Sequence, residues 1–367
     1  MLIIIRRLSF YIIVLTFIIF LVAVWALRIV PASLRVSTEP AGFEDEIQNM
    51  FKIRNLAILV NDGDGLKSLY ALNTKLGEWA YEHGLKKTNY LHSWSKKQGV
   101  KFLNIDTSLY KLKAKHKGAG FSVNFTASTV YEYSYLNEPE KINMFRIGTY
   151  HSMDVVKREE SWLIAREWYT DPFADSLNLD DKTSNGITNY ILGRGFEGKN
   201  TSKRQNAAIE YADRYCGAAA ESKFGLTYNK KYKNYNSLGG DCANFASQIM
   251  YEGGKFKKNY SWNYTKEGSK AWVNAAAFKD YMLYSGRASL IASGSYEKIY
   301  KAAFNMQPGD FVAYEKKGKV THISVVTGWD SKGYPLVNSH NTDRYRVPWD
   351  LGWSDKGIKF WLVHMHF

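Results

Sequence analysis

The sequence predicts an α+β protein behind an N-terminal membrane helix, and three observations predict it. An uncharged apolar run, Leu8 to Leu27, opens the chain. A stretch of helical period then gives way near Phe102 to strands of period two, and after a polar break near Asp175 a second helix-then-strand pattern begins. Composition agrees with packed domains: 45% hydrophobic and 23% charged residues exclude a disordered chain, and 7 prolines exclude a proline-rich stalk. Two cysteines cannot build a disulfide framework or a four-thiolate zinc site.

The apolar run spans twenty residues, about 30 Å as a helix, which matches a hydrocarbon core. Arg6 and Arg7 precede it, so the positive-inside rule leaves the bulk of the protein outside. Its length exceeds a signal-peptide core, which favours an uncleaved anchor within residues 1–35. A cleavable signal ending near Val30-Pro31-Ala32 is the alternative, and either way the domains are expected to be exported. Residues 40–175 are expected to form an α+β accessory domain. Within it Leu69, Leu72, Leu76 and Trp79 recur at helical spacing, with helix ends near Gly84 and Gly99. Phe121, Val123 and Phe125 alternate as in a strand, and a hairpin is predicted to turn at Arg158-Glu159-Glu160-Ser161. A turn-rich linker is expected over 176–203 and a second domain over 204–367.

The charge balance, 49 Lys+Arg against 35 Asp+Glu, suits an anionic partner such as a cell wall or acidic lipid. The lysines come as scattered pairs and no nucleic-acid-reading motif is present, so no nucleic acid is expected as a partner.

The second domain carries the chemical signal. In Gly239-Gly240-Asp241-Cys242-Ala243-Asn244-Phe245 a flexible loop turns into a helix, placing Cys242 in the first turn. A helix N-terminus favours thiolate, and its free N–H groups can hold an oxyanion. A base follows about 80 residues later: His322 on a strand predicted after the hairpin turn at Lys316-Lys317-Gly318-Lys319. Asn338 and His340, two residues apart, face one side of the next strand. A thiol, an imidazole and a polar group to fix the imidazole are what thiol acyl transfer needs. Cys216, on an alanine-rich helix, is expected to be a packed thiol. No metal site is expected, because no close ligand pair accompanies Cys242, His322 and His340, and no cofactor is expected either.

The segment from Arg204 to Phe367 resembles the putative amidase domain family of exported Gram-positive bacterial proteins, related to the NlpC/P60 and papain-like cysteine hydrolases. The match lies in Gly239-Gly240-Asp241-Cys242-Ala243-Asn244-Phe245-Ala246-Ser247-Gln248, Gly253-Gly254, Gly309-Asp310, Thr321-His322 and Asn338-Ser339-His340-Asn341-Thr342-Asp343. The resemblance implies a papain-like α+β domain with Cys242 as nucleophile, His322 as general base, and Asn338 as orienter, with His340 in reserve. Asn236 stands six residues before the nucleophile, where papains carry the glutamine of the oxyanion hole. The N-terminal half, ending in Trp168-Tyr169-Thr170-Asp171-Pro172, resembles the companion region of such proteins.

The expectation is an exported cysteine amidase or peptidase acting on amide bonds, with cell-wall peptides as substrate. The alternatives are a non-catalytic wall-binding or structural module derived from such a hydrolase, and acyl transfer to an amine.

Overall fold

The computed structural model describes residues 42–173, 185–353 and 357–367. The apolar run Leu8–Leu27 lies outside them. Among the described residues no helix is long and apolar enough to cross a membrane.

Helix α1 (Phe43–Val60) carries Glu44, Asp45 and Glu46 in its first turn, where acidic side chains suit the dipole. After a short helical turn at Gly63–Lys67, helix α2 runs unbroken from Lys75 to Gln98. This corrects the sequence expectation twice. The helical stripe from Leu69 to Trp79 is broken at Thr74, whose hydroxyl caps α2 at the N–H of Gly77, and Leu76 and Trp79 are exposed. The stop expected near Gly84 is absent, because that residue lies against Leu66 and the hydroxyl of Tyr70 as a packing glycine within the helix. Gly99, with φ +70°, is the true C-terminal cap.

Four antiparallel strands follow: β1 (Val100–Lys117), β2 (Gly120–Tyr135), β3 (Glu138–Arg158) and β4 (Ser161–Tyr169). The predicted hairpin is present, with Arg158 paired to Ser161. Part of the expected linker is ordered: α3 (Asn185–Leu192) buries Ile187 and Ile191. Helix α4 (Lys203–Tyr215) begins with a capping box between Ser202 and Gln205. Helix α5 (Cys242–Gln248) starts at the cysteine, and α6 (Ala275–Tyr284) and α7 (Tyr296–Ala303) flank strand β5 (Ala288–Gly294). The last strands are β6 (Phe311–Lys316), β7 (Lys319–Trp329), β8 (Pro335–Ser339), β9 (Asp343–Pro348) and β10 (Ile358–Met365).

The architecture is α+β on one antiparallel sheet. Its order is β1-β2-β3-β9-β8-β7-β6-β10-β5, with β4 added on β3. The join between the two halves of the chain is β3 with β9, where Ile147 pairs with Arg344. Alternation along β6 and β7 sorts side chains onto two faces. Val312, Tyr314 and Val326 join a core with Tyr90, Trp94, Phe102 and Phe145 of the N-terminal half. Phe311, Ala313, Ile323 and Val325 join a second core under α4, α5 and α6, which includes both cysteines. A third core fills the N-terminal half between α1 and β2–β4.

Candidate active site

Cys242 is the first residue of α5, and Asp241 before it holds the loop in place. The Asp241 carboxylate accepts from the N–H of Tyr235 (2.8 Å) and from Asn244 Nδ2 (2.8 Å) through Oδ1. Its Oδ2 lies 2.6 Å from His340 Nδ1. The N–H of Asp241 donates to Asn341 Oδ1 (2.6 Å). Gly240 has φ +131°, and a Cβ there would stand 2.2 Å from Asn341 Nδ2, so glycine is required both for the turn and for this contact.

The Cys242 sulfur lies against the backbone N–H groups of Ile323, Ala243 and Cys242 itself. Ile323 follows His322 on β7, so the sulfur meets the backbone one residue from the imidazole, although the Ile323 and His322 side chains leave the strand on opposite faces. The thiol is only 5% exposed. Burial pushes it up to about 11, against the pull of those N–H groups. The thiolate expected from the helix N-terminus is therefore outweighed by desolvation, and sulfur carries its proton at neutral pH.

His322 is buried and makes no side-chain hydrogen bond among the described residues, with Nε2 fully enclosed. Burial, and then the nearby Arg344 guanidinium, hold it well below the ordinary histidine value, so the ring is neutral. It packs between Tyr314 (ring centroids 5.5 Å apart) and Trp353 (5.0 Å). With Thr321, Asn341, Thr342, Arg344, Gly352, Asp171 and Pro172, His322 and Trp353 line a cavity of about 200 Å³. Asp171, Asn341 and Thr342 also line a larger neighbour of about 530 Å³, whose walls include Thr126, Gly148, Thr149 and Tyr150 of the N-terminal sheet and Tyr228 and Asn236 opposite. Cys242 lines neither; Asn341 bridges the cavity wall to the backbone just before it. The turn at Asn341 and Thr342 is left-handed, with φ +64° and +68°, an uncommon conformation for threonine.

Asn338 pairs with Val325, which is three residues from His322 along β7, so Asn338 and His322 project from opposite faces of the sheet. Its carboxamide accepts from Thr327 Oγ1 (2.7 Å) and the N–H of Arg346 (2.8 Å) and donates to Asp213 (2.9 Å). His340 stacks on Phe245 with ring centroids 3.7 Å apart, and its Nε2 lies 2.8 Å from the Tyr215 carbonyl. Both ring nitrogens therefore meet oxygen atoms, and these two contacts fix the ring against Asp241. Neither Asn338 nor His340 hydrogen-bonds His322. Asn236 is exposed, with one weak contact to the Tyr228 hydroxyl. Cys216 is fully buried, its Sγ donating to the Asp213 carbonyl, and both cysteines are free thiols.

Arg344 is the residue that sequence reasoning missed. It is 3% exposed and donates from Nη2 to the Pro172 carbonyl (3.0 Å), while Nε and Nη1 are buried without an acceptor among the described residues. Nothing in the sequence separates it from Arg346, which pairs with Asp213 at 2.7 Å. Only the β3–β9 join, which packs Arg344 under Pro172, makes the difference. Among the described residues no group of histidine, cysteine and acidic side chains could hold a metal ion.

The chain is 30% identical over 195 residues to the uncharacterized protein YjcM of Bacillus subtilis (strain 168), which is 50% of this chain and 40% of that protein. It therefore spans less than half the length of that relative. Three solved structures overlap it in part, two of them as follows. One is the intermembrane-space region of chloroplast protein ARC6 (17% identity, 36% of this chain and 96% of that one, TM-score 0.25). The other is a single-residue variant of Rv3472, a function-unknown protein of Mycobacterium tuberculosis (12% identity, 41% of this chain and 84% of that one, TM-score 0.24). Scores this low carry no argument. Residues 202–363, the segment that holds Cys242, His322, Asn338, His340 and Arg344, match the family described as "Putative amidase domain".

Proposed function

We propose that this protein hydrolyses amide bonds with Cys242 as nucleophile and His322 as general base. One observation carries the reading: within the segment matching an amidase family, the Cys242 sulfur sits at the tip of α5 against the backbone of Ile323, the residue next to His322. Both groups are neutral at pH 7, so the chemistry is that of a thiol deprotonated during attack rather than a standing thiolate–imidazolium pair. His322 takes the thiol proton as sulfur adds to the carbonyl carbon. The N–H groups of Cys242 and Ala243 hold the oxyanion. The imidazolium then protonates the leaving amine, and water deprotonated by His322 cleaves the thioester. Asp241 and His340 act as positioning residues that fix the loop carrying Cys242, and Asn338 braces β8 against α4.

Cell-wall peptides are the proposed substrates and export the proposed location. The +14 net charge and the apolar run Leu8–Leu27 support both. The larger cavity gives the N-terminal half a part in this reading, since Thr126, Thr149, Tyr150 and Thr170 form one of its walls. Muropeptide release from peptidoglycan by the purified protein tests the proposal; equal release by Cys242→Ala removes Cys242 as nucleophile.

A second reading, a non-catalytic binding module descended from such a hydrolase, is favoured by the burial of the Cys242 thiol and by the missing hydrogen-bond partner of His322. Failure of iodoacetamide to label Cys242 faster than Cys216 in the folded protein supports that reading against catalysis.

A further inference from the structure

Other buried charges among the described residues, Arg54 and Arg346 among them, are ion-paired from within, although the Nε of each keeps no acceptor. Arg54 donates twice to Glu167, whose other neighbour is His151, and the Asp330 carboxylate accepts from the hydroxyls of Tyr133 and Tyr135. The cavity at His322 is different. The Arg344 guanidinium in its wall keeps two of three nitrogens without an acceptor among the described residues, and arginine cannot shed its charge to escape the cost.

The neighbouring anion, Asp171, attracts the guanidinium through space but makes no hydrogen bond to it. The Asp171 carboxylate lines the same cavity, but Oδ1 accepts from the N–H of Phe173 (2.8 Å) and Oδ2 lies 2.5 Å from His83 Nε2. We propose that Arg344 forms a subsite for a carboxylate group of the substrate, bound beside His322; this deepens the amidase reading and rests on it for the ligand being a substrate. A carboxylate supplies acceptors to Nε–H and Nη1–H and neutralises the buried cation, the strongest pairing open to arginine. The guanidinium carbon lies 5.6 Å from the centre of the Trp353 ring, a cation–π contact in the same cavity wall, and the turn at Asn341 and Thr342 leads on into the larger cavity. A peptide whose carboxylate meets Arg344 therefore has room to extend toward the N-terminal sheet. The same event acts on the base. The charged and titratable groups around His322 are Arg344 from β9, Tyr314 from β6 and Asp171 after β4, and Cys242 on α5 lies within electrostatic reach of Arg344. Neutralising Arg344 removes the nearest cation, so a bound carboxylate makes His322 a better proton acceptor.

The test is ligand-observed NMR on the full-length protein with N-acetylglycine, N-acetylglycinamide and N-acetylaspartic acid α-amide. The expected result is at least tenfold tighter binding of one or both acids than of the glycinamide, with loss of that preference in Arg344→Gln and its retention in Cys242→Ala. Preference for N-acetylglycine assigns a terminal carboxylate, and preference for the aspartic derivative a side-chain carboxylate. Equal binding of acid and amide, tighter binding of inorganic phosphate than of either acid, or a folded Arg344→Gln that still prefers the acid overturns the proposal. Should Arg344→Gln not fold, the His322 ring in the unaltered protein decides. Its NMR titration midpoint rises with the preferred acid and not with the glycinamide, and an unmoved midpoint overturns the proposal. Acid binding without any amide cleavage sinks the amidase reading and leaves the subsite standing; Cys242-dependent cleavage without acid binding does the reverse.

Discussion

Two buried ionic clusters lie in the two halves of the molecule and are built in opposite ways. In the N-terminal half Arg54, Glu167, His151 and Thr149 form a paired chain that leaves Arg54 Nε without a partner: Arg54 donates to both Glu167 oxygens at 3.0 and 2.8 Å, and His151 lies 2.9 Å from Glu167 and 2.8 Å from the Thr149 hydroxyl. In the C-terminal half His322 and Arg344 share a cavity, and His322 Nε2 and Arg344 Nε and Nη1 find no partner among the described residues. Burial without pairing costs several kcal/mol per ion, roughly, so it persists only where something else repays it. The paired cluster is scaffold, and the open one is where a ligand completes the structure. The two thiols divide in the same way. Cys216 is spent on the Asp213 carbonyl in the core, whereas Cys242 sits at a helix tip against the backbone of Ile323, the residue after His322.

The largest effect expected from this contrast is chemical. Cys242→Ala lowers amide hydrolysis by about 10⁴-fold or more, as loss of a nucleophile does, while the melting temperature stays near that of the unaltered protein. Comparable activity in the two proteins would merge the open cluster with the paired one. His322→Gln comes next, with a loss of about 10²–10⁴-fold in kcat. Because burial and Arg344 hold His322 low, kcat/KM should stay flat from neutral pH down past the ordinary histidine value. A fall in kcat/KM centred on the free-histidine value would contradict that placement.

The paired cluster answers in stability instead. Glu167→Gln leaves Arg54 buried without its partner and is expected to cost about 3–5 kcal/mol, read from denaturant unfolding. Glu167 is held far below the usual carboxylate range by Arg54 and His151 despite the opposing push of burial. A depressed carboxylate contributes stability that is present above its unfolded value, about 4.3, and is lost as pH falls toward the folded one. Stability of the unaltered protein therefore declines on acidification below that value, and the variant shows a shallower decline. An unchanged acid limb would show that the cluster is not ionised as described. Asn338→Ala is smaller, about 1–3 kcal/mol, since it strands Asp213 and Thr327; its kcat/KM–pH profile should overlay that of the unaltered protein. A shifted profile would give Asn338 a direct hold on His322 that its hydrogen bonds do not show.

Much of this was legible in the sequence, in an uneven way. Period-two alternation and turn residues gave the hairpins at Arg158–Ser161 and Lys316–Lys319, because local backbone chemistry decides them. The start of α5 at Cys242 was legible for the same reason. Helix extent was not: Gly84 looks like a stop, and only the packing of Leu66 and Tyr70 against it shows why the helix continues. Strand spacing also put Asn338 near a histidine without saying which face each would take. That depends on the β7–β8 register, which pairs Asn338 with Val325 and turns it from His322. Arg344 was invisible, because its unpaired state is a property of the β3–β9 join rather than of any motif.

The most direct measurement is denaturing mass spectrometry of the protein mixed with a peptidoglycan peptide and quenched at short times, alongside assay of the cleaved peptide. The expected result is an acyl adduct on Cys242 alone, none on Cys216, and loss of both adduct and cleavage in Cys242→Ala. Cleavage that proceeds in Cys242→Ala, or an acyl group found on another residue, would contradict it.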